Sequence, residues 1–153
     1  MASLQELLVA KRERLRDEPI YLPVPGFADE ALRIAYRPVH DWASLRDVVL
    51  SDNPNAEAEA AARVLVSACQ AVEGKDETGI YRQLPSKLGK ALTDELAAAG
   101  AEELGGAEND VQAVFLLFGG SEQVMTTYLQ FKQSSAEHRE RSDQVVLGES
   151  RAS

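Results

Sequence analysis

The segment Glu18–Leu45, EPIYLPVPGFADEALRIAYRPVHDWASL, decides the architecture. Ile20, Leu22 and Val24 alternate with Tyr21, Pro23 and Pro25, which predicts an extended segment with one apolar face. Its prolines cannot donate ladder hydrogen bonds, so the segment suits a sheet edge. Gly26 to Glu30 form the turn, and Leu32, Ile34 and Tyr36 line one face of a second strand, with Arg33, Ala35 and Arg37 on the other. Pro38 ends that strand, and Asp41 is placed to cap a helix carrying Trp42, Leu45, Val48 and Val49 on one side. A small antiparallel hairpin near the N-terminus is the expected product. Such a hairpin is marginal unless something covers its apolar face.

Outward from this segment the chain reads as helices. Ser3 and Glu6 form an S-x-x-E capping box that starts a helix running to about Arg16. Leu4, Leu8 and Leu15 recur along it at heptad spacing, with Leu7 beside them. This narrow apolar stripe fits docking on another surface, its own core or a partner. Asn55 can cap a long alanine-rich helix to about Val72 with Ala61, Val64, Leu65, Ala68 and Val72 inward. Glu73–Gly79 reads as a polar loop and Ile80-Tyr81-Arg82 as a short extended piece. Further helices are expected over Ser86–Ala99, over Asn109–Phe118, and from Ser121 to Lys132 or beyond, separated by glycine breaks. From about Gln133 the composition turns polar, and Ser134–Ser153 reads as a frayed helix extension passing into a flexible tail.

The expectation is therefore an α+β fold, mainly α-helical, with five or six helices and the N-terminal hairpin. Its parts are an amphipathic arm over 1–17, a globular domain over 18–133 and a polar flexible tail over 134–153. Trp42, Leu45, Val64, Leu65, Ala68, Leu92, Leu96, Val114, Phe115 and Phe118 are the expected core.

Composition narrows the function classes. At 153 residues there is room for one domain with a proper core. The net charge is −9, and residues 53–153 hold 9 basic against 16 acidic side chains. Such a field repels phosphate backbones, so general nucleic-acid binding is not expected. No apolar run reaches the roughly 18 residues a membrane span needs. The single cysteine, Cys69, precludes an internal disulfide and reads as a small buried thiol, which fits a reducing cytoplasm. His40 and His138 are too far apart in sequence to suggest a metal site, and no phosphate loop is present. Six acids between Asp94 and Asp110 lack the alternation of a calcium loop and read as a solvated surface. Gly119-Gly120-Ser121 reads as helix punctuation rather than an anion site. No enzyme, cofactor or metal chemistry is expected.

The order of these pieces resembles the tail assembly chaperones of long-tailed bacteriophages, especially those infecting actinobacteria. The matching segments are Tyr21–Phe27 (YLPVPGF), Leu32–Pro38 (LRIAYRP), the tryptophan helix Asp41–Val49, Ala68-Cys69 leading through a polar insertion to Gly79-Ile80-Tyr81, and Val111–Phe118. The stretch after Tyr81, RQLPSKLGKALTDELAAAG, departs from the family's Gly-Pro-hydrophobic approach to that helix. The resemblance implies a non-enzymatic morphogenesis factor of the host cytoplasm. Such a factor binds the tape measure protein, keeps it soluble, recruits tail tube protein, forms homo-oligomers and is absent from the virion. Leu4, Leu8 and Leu15 are the candidate partner contacts. A head–tail connector or tail terminator is the alternative.

Overall fold

The computed structural model describes residues 3–39 and 54–151, the side chains of 12–17, 54–55 and 142–151 excepted. The fold is α+β: among the described residues, five α-helices accompany a four-stranded antiparallel sheet. The helices are α1 (Leu4–Asp17), α2 (Pro54–Ala68), α3 (Lys90–Ala98), α4 (Asp110–Phe118) and α5 (Ser121–Arg151). The strands are β1 (Ile20–Pro23), β2 (Leu32–Tyr36), β3 (Cys69–Lys75) and β4 (Tyr81–Gln83), and they lie in the order β1-β2-β3-β4.

β1 and β2 pair as the alternation implies, Ile20 opposite Tyr36 and Leu22 opposite Ile34. What covers the other edge of β2 is different from expectation. The alanine-rich helix stops at Ala68, and Cys69–Lys75, expected as helix end and polar loop, is a strand paired with β2. The apolar residues Ala61, Leu65, Ala68 and Val72 fit a helical period, and Val72 fits a strand period equally well. The pairing decides, because β2 would otherwise leave a buried row of backbone groups unsatisfied. A register shift between Ala35 and Tyr36 sets Tyr36 opposite Cys69. The hairpin is thus half of a larger sheet.

One face of the sheet meets the helices. Ile34, Tyr36, Val72, Leu65, Leu92, Val114, Val124 and Phe131 are all fully buried there. Tyr36 and Phe131 stack at a tilt, ring centroids 5.2 Å apart. Of the expected core, Leu65, Ala68, Leu92, Val114 and Phe118 are buried, and Val64, Leu96 and Phe115 pack partly buried against it. Trp42, Leu45, His40 and the helix expected from Asp41 lie outside the described residues.

Local chemistry sets the helix ends. The capping box is present: the Glu6 N–H donates to Ser3 Oγ at 3.1 Å and the Ser3 N–H to Glu6 Oε2 at 3.2 Å. Asn109 Oδ1 accepts the Gln112 N–H at 2.9 Å to cap α4. The first turn of α4 then caps a neighbour, since Asp110 Oδ1 accepts the Lys90 N–H at 2.9 Å. Gly89 makes that possible; a Cβ there would stand 2.5 Å from Asp110 Oδ1, at a φ of +149°. This explains why α3 starts at Lys90 rather than at Ser86. Leu88, just before it, is buried and its N–H donates to Cys69 Sγ at 3.5 Å.

α5 crosses the boundary expected at residue 133 without a break and reaches Arg151. Its buried positions are Val124, Thr127, Tyr128, Phe131, Ser135 and His138. These share one face at helical spacing, although the last two are polar. Ser135 Oγ accepts the Val39 N–H at 3.3 Å. The stretch from Gln133 to His138 therefore belongs to the packed body rather than to a solvated tail.

Candidate functional site

The leucine stripe of α1 is the first candidate. α1 packs along α5, and the structure distributes the stripe unevenly. Leu8 is half-buried, Leu4 is 69% exposed, and Leu7 and Val9 are 57% and 50% exposed. The Leu15 side chain lies outside the described ones. The helix thus presents Leu4 and Leu7 to solvent on the flank of its contact with the body. Sequence reasoning did not single out Val9, which lies off the heptad stripe.

A second candidate occupies the outer face of the sheet. The Arg33 guanidinium lies 3.6 Å from the Tyr81 ring centroid and 4.2 Å from that of Tyr21, and its Nε donates to Glu73 Oε1 at 2.7 Å. Strand register brings these together: Arg33 is opposite Glu73 on β3 and Lys75 is opposite Tyr81 on β4. The same strands clasp the Ala28–Glu30 turn, where Asp29 and Glu30 adopt positive φ values of 55° and 52°. Lys75 Nζ donates to the Asp29 carbonyl, the Lys75 N–H to the Ala31 carbonyl at 2.8 Å, and Tyr81 Oη to the Glu30 carbonyl at 2.7 Å. Left-handed non-glycine residues persist only where surrounding bonds hold them, and here three do. Arg33 and Tyr21 are visible in the sequence as outward residues. Their junction with Tyr81 and Glu73 is not, because the sequence pattern of Cys69–Lys75 implies the end of a helix and a polar loop, and the junction exists only once that segment pairs as β3.

In the β3–β4 turn, Asp76 accepts from the Thr78 hydroxyl at 2.6 Å, Arg82 Nε at 2.8 Å and the Ile80 N–H at 3.0 Å. Those donors hold its carboxyl down to about 2, the Thr78 hydroxyl contributing most. Cys69, by contrast, is pushed up by burial, against the Leu88 N–H that favours its thiolate. A buried thiol of that kind is a poor nucleophile.

Two adjoining depressions line α2. One, of about 390 Å³, is formed by Arg37, Val39, Ala60, Arg63, Val64, Ser67 and Ala68. The other, of about 610 Å³, shares Arg63 and Ser67 and extends towards Asn109, Val111 and Phe115 on the α4 side.

Among the described residues no cluster of three or more His, Cys, Asp or Glu side chains is arranged to hold a metal ion. No helix of the described residues is long and apolar enough to cross a membrane. The acids from Asp94 to Asp110 divide between roles: Asp94 pairs with Lys90 at 2.8 Å, Asp110 caps α3, and Glu102 and Glu103 stand exposed. No protein-family model matches the sequence, and neither curated proteins nor solved structures give a match.

Proposed function

We propose that this protein is a tail assembly chaperone of a long-tailed bacteriophage, a binding protein that keeps the tape measure protein soluble in the host cytoplasm and promotes tube assembly around it. The order of segments from Tyr21 to Phe118 supports the family. The observation that supports client binding is the open apolar flank of α1, where Leu4 and Leu7 are 69% and 57% exposed. A tape measure protein presents long amphipathic helices before assembly, and its chaperone must offer apolar surface in place of the absent partner chains. Each exposed leucine covered on binding contributes at about 25 cal/mol per Å² of apolar area, less the costs of ordering. The acidic field beyond residue 52 discourages clumping of such complexes. The same flank serves self-association into homo-oligomers.

Co-expression with the cognate tape measure protein tests the reading. The client is expected to move from the insoluble to the soluble fraction and to stay bound in moderate salt, because the contact is chiefly apolar. Leu4→Asp with Leu7→Asp is expected to weaken the complex at least about tenfold, the scale of losing two anchors. A client that stays insoluble beside abundant folded partner would exclude the chaperone and leave a structural component of the particle.

A further inference from the structure

We propose that the groove between Arg37 and Arg63 docks an amphipathic helix of a partner protein whose apolar anchors are flanked by carboxylates. This goes beyond the chaperone reading and does not depend on it, since it concerns another surface and a different chemistry. The floor is apolar and shallow: Ala60 and Ala68 are 2% and 7% exposed, and Val39 and Val64 are half-buried. Small residues at the floor let a helix approach closely. The lining holds two arginines and no carboxylate, in a chain with 25 acidic against 16 basic residues.

Among the described residues neither cation is firmly engaged. Arg63 reaches only Glu59, at 3.8 Å on an exposed helix surface, a pairing worth little. The Arg37 side chain makes no ion pair among the described residues. Two available guanidiniums beside an apolar floor complement carboxylates beside apolar side chains. The occupant is a helix rather than a strand, because among the described residues no open strand edge borders the groove to receive main-chain hydrogen bonds. The adjoining depression past Ser67 is lined by Glu59 and Asp110 as well as Val111 and Phe115, so the seat for an acidic helix ends at Ser67.

The test has two arms on the full chain. Ser67 is exposed and the natural thiol of Cys69 is buried, so Ser67→Cys reports whether the groove is open. Rapid maleimide labelling of that variant over a slow parent is expected. Slow labelling would mean that the chain's own residues cover the groove, and would overturn the proposal. The second arm selects binders from a displayed library of helices about five turns long, with leucines fixed at i, i+3 and i+7 and random residues elsewhere. Selection is expected to enrich Asp and Glu beside the leucines. Arg37→Glu with Arg63→Glu should weaken those binders at least about tenfold and favour Lys and Arg in a repeat selection. Gln at both positions serves if the Glu pair fails to fold. Binders without acidic bias, or binders indifferent to the arginine changes, would overturn the proposal, as would a library that yields none.

Discussion

The two faces of the sheet are cut from the same strands and end in opposite chemistry. On β2, Leu32, Ile34 and Tyr36 point into the helices and are buried, Ile34 and Tyr36 completely. Between them Arg33 points outward, held between two tyrosine rings and an opposing carboxylate. The inner face gains from exclusion of water over many contacts, each replaceable by another apolar group of like volume. The outer face relies on a few directional contacts that only these residue types make. It keeps an open sheet surface covered without an apolar patch. The lesson is that alternation along a strand assigns inside and outside, while the identity of the outward partners depends on register.

Three substitutions sharpen that contrast, in descending order of expected effect. Ile34→Ala removes buried apolar volume from the centre of the inner face and is expected to cost about 2–5 kcal/mol, read from chemical denaturation. A loss below about 1 kcal/mol would mean the face is loosely packed. Arg33→Ala removes the stack and leaves Glu73, whose side chain is 20% exposed, without its cation. The expected cost is about 1–2 kcal/mol, with a double-mutant cycle against Glu73→Gln returning a favourable coupling. Additivity of the two changes would show the pair to be ornamental.

The smallest effect lies at the rim of the outer face. The Asp76 carboxyl is held down to about 2 in the folded chain, below its ordinary value near 4. Its contribution to stability is therefore present above pH about 4 and is lost as pH falls towards 2. Comparing thermal melts of the parent and Asp76→Asn between pH 2 and 5 should show curves that diverge as pH rises through that window. Parallel curves would mean that the turn donors do not hold the carboxylate in solution.

What the sequence made legible follows the strength of local signals. Ser3 with Glu6, Asn109 before α4, and the Gly119-Gly120 break each act through bonds to near neighbours, so they can be read one residue at a time. The β1–β2 alternation was equally plain. β3 was not, because Ala61, Leu65, Ala68 and Val72 keep a helical period, while the register shift opposite Ala35/Tyr36 places the buried Cys69 and Val72 three residues apart and so breaks the strand alternation. The packing of α5 beyond Lys132 was hidden for another reason: its inward stripe continues through Ser135 and His138, polar residues that a hydrophobic pattern discards. Asp110 as the cap of α3 was invisible, since the cap arrives from 20 residues away. For the candidate surfaces, of the stripe Leu4, Leu8 and Leu15 the structure leaves Leu4 exposed and Leu8 half-buried, whereas the Arg33 cluster and the Arg37–Arg63 groove needed the fold to assemble them.

α2 passes into β3 with no connecting residue, helix ending at Ala68 and strand beginning at Cys69. That junction fixes how the gene can change in length. The register shift opposite Ala35/Tyr36 already holds one extra residue, so a further codon at the junction, unless absorbed at that bulge, would carry Val72 to the outer face and Glu73 into the helices. The turn from Asp76 to Ile80 lies between strands and bears no such phase, so insertions there leave both faces intact. Relatives of this chain should therefore vary in length at the turn and hold the count unchanged across Ala68-Cys69.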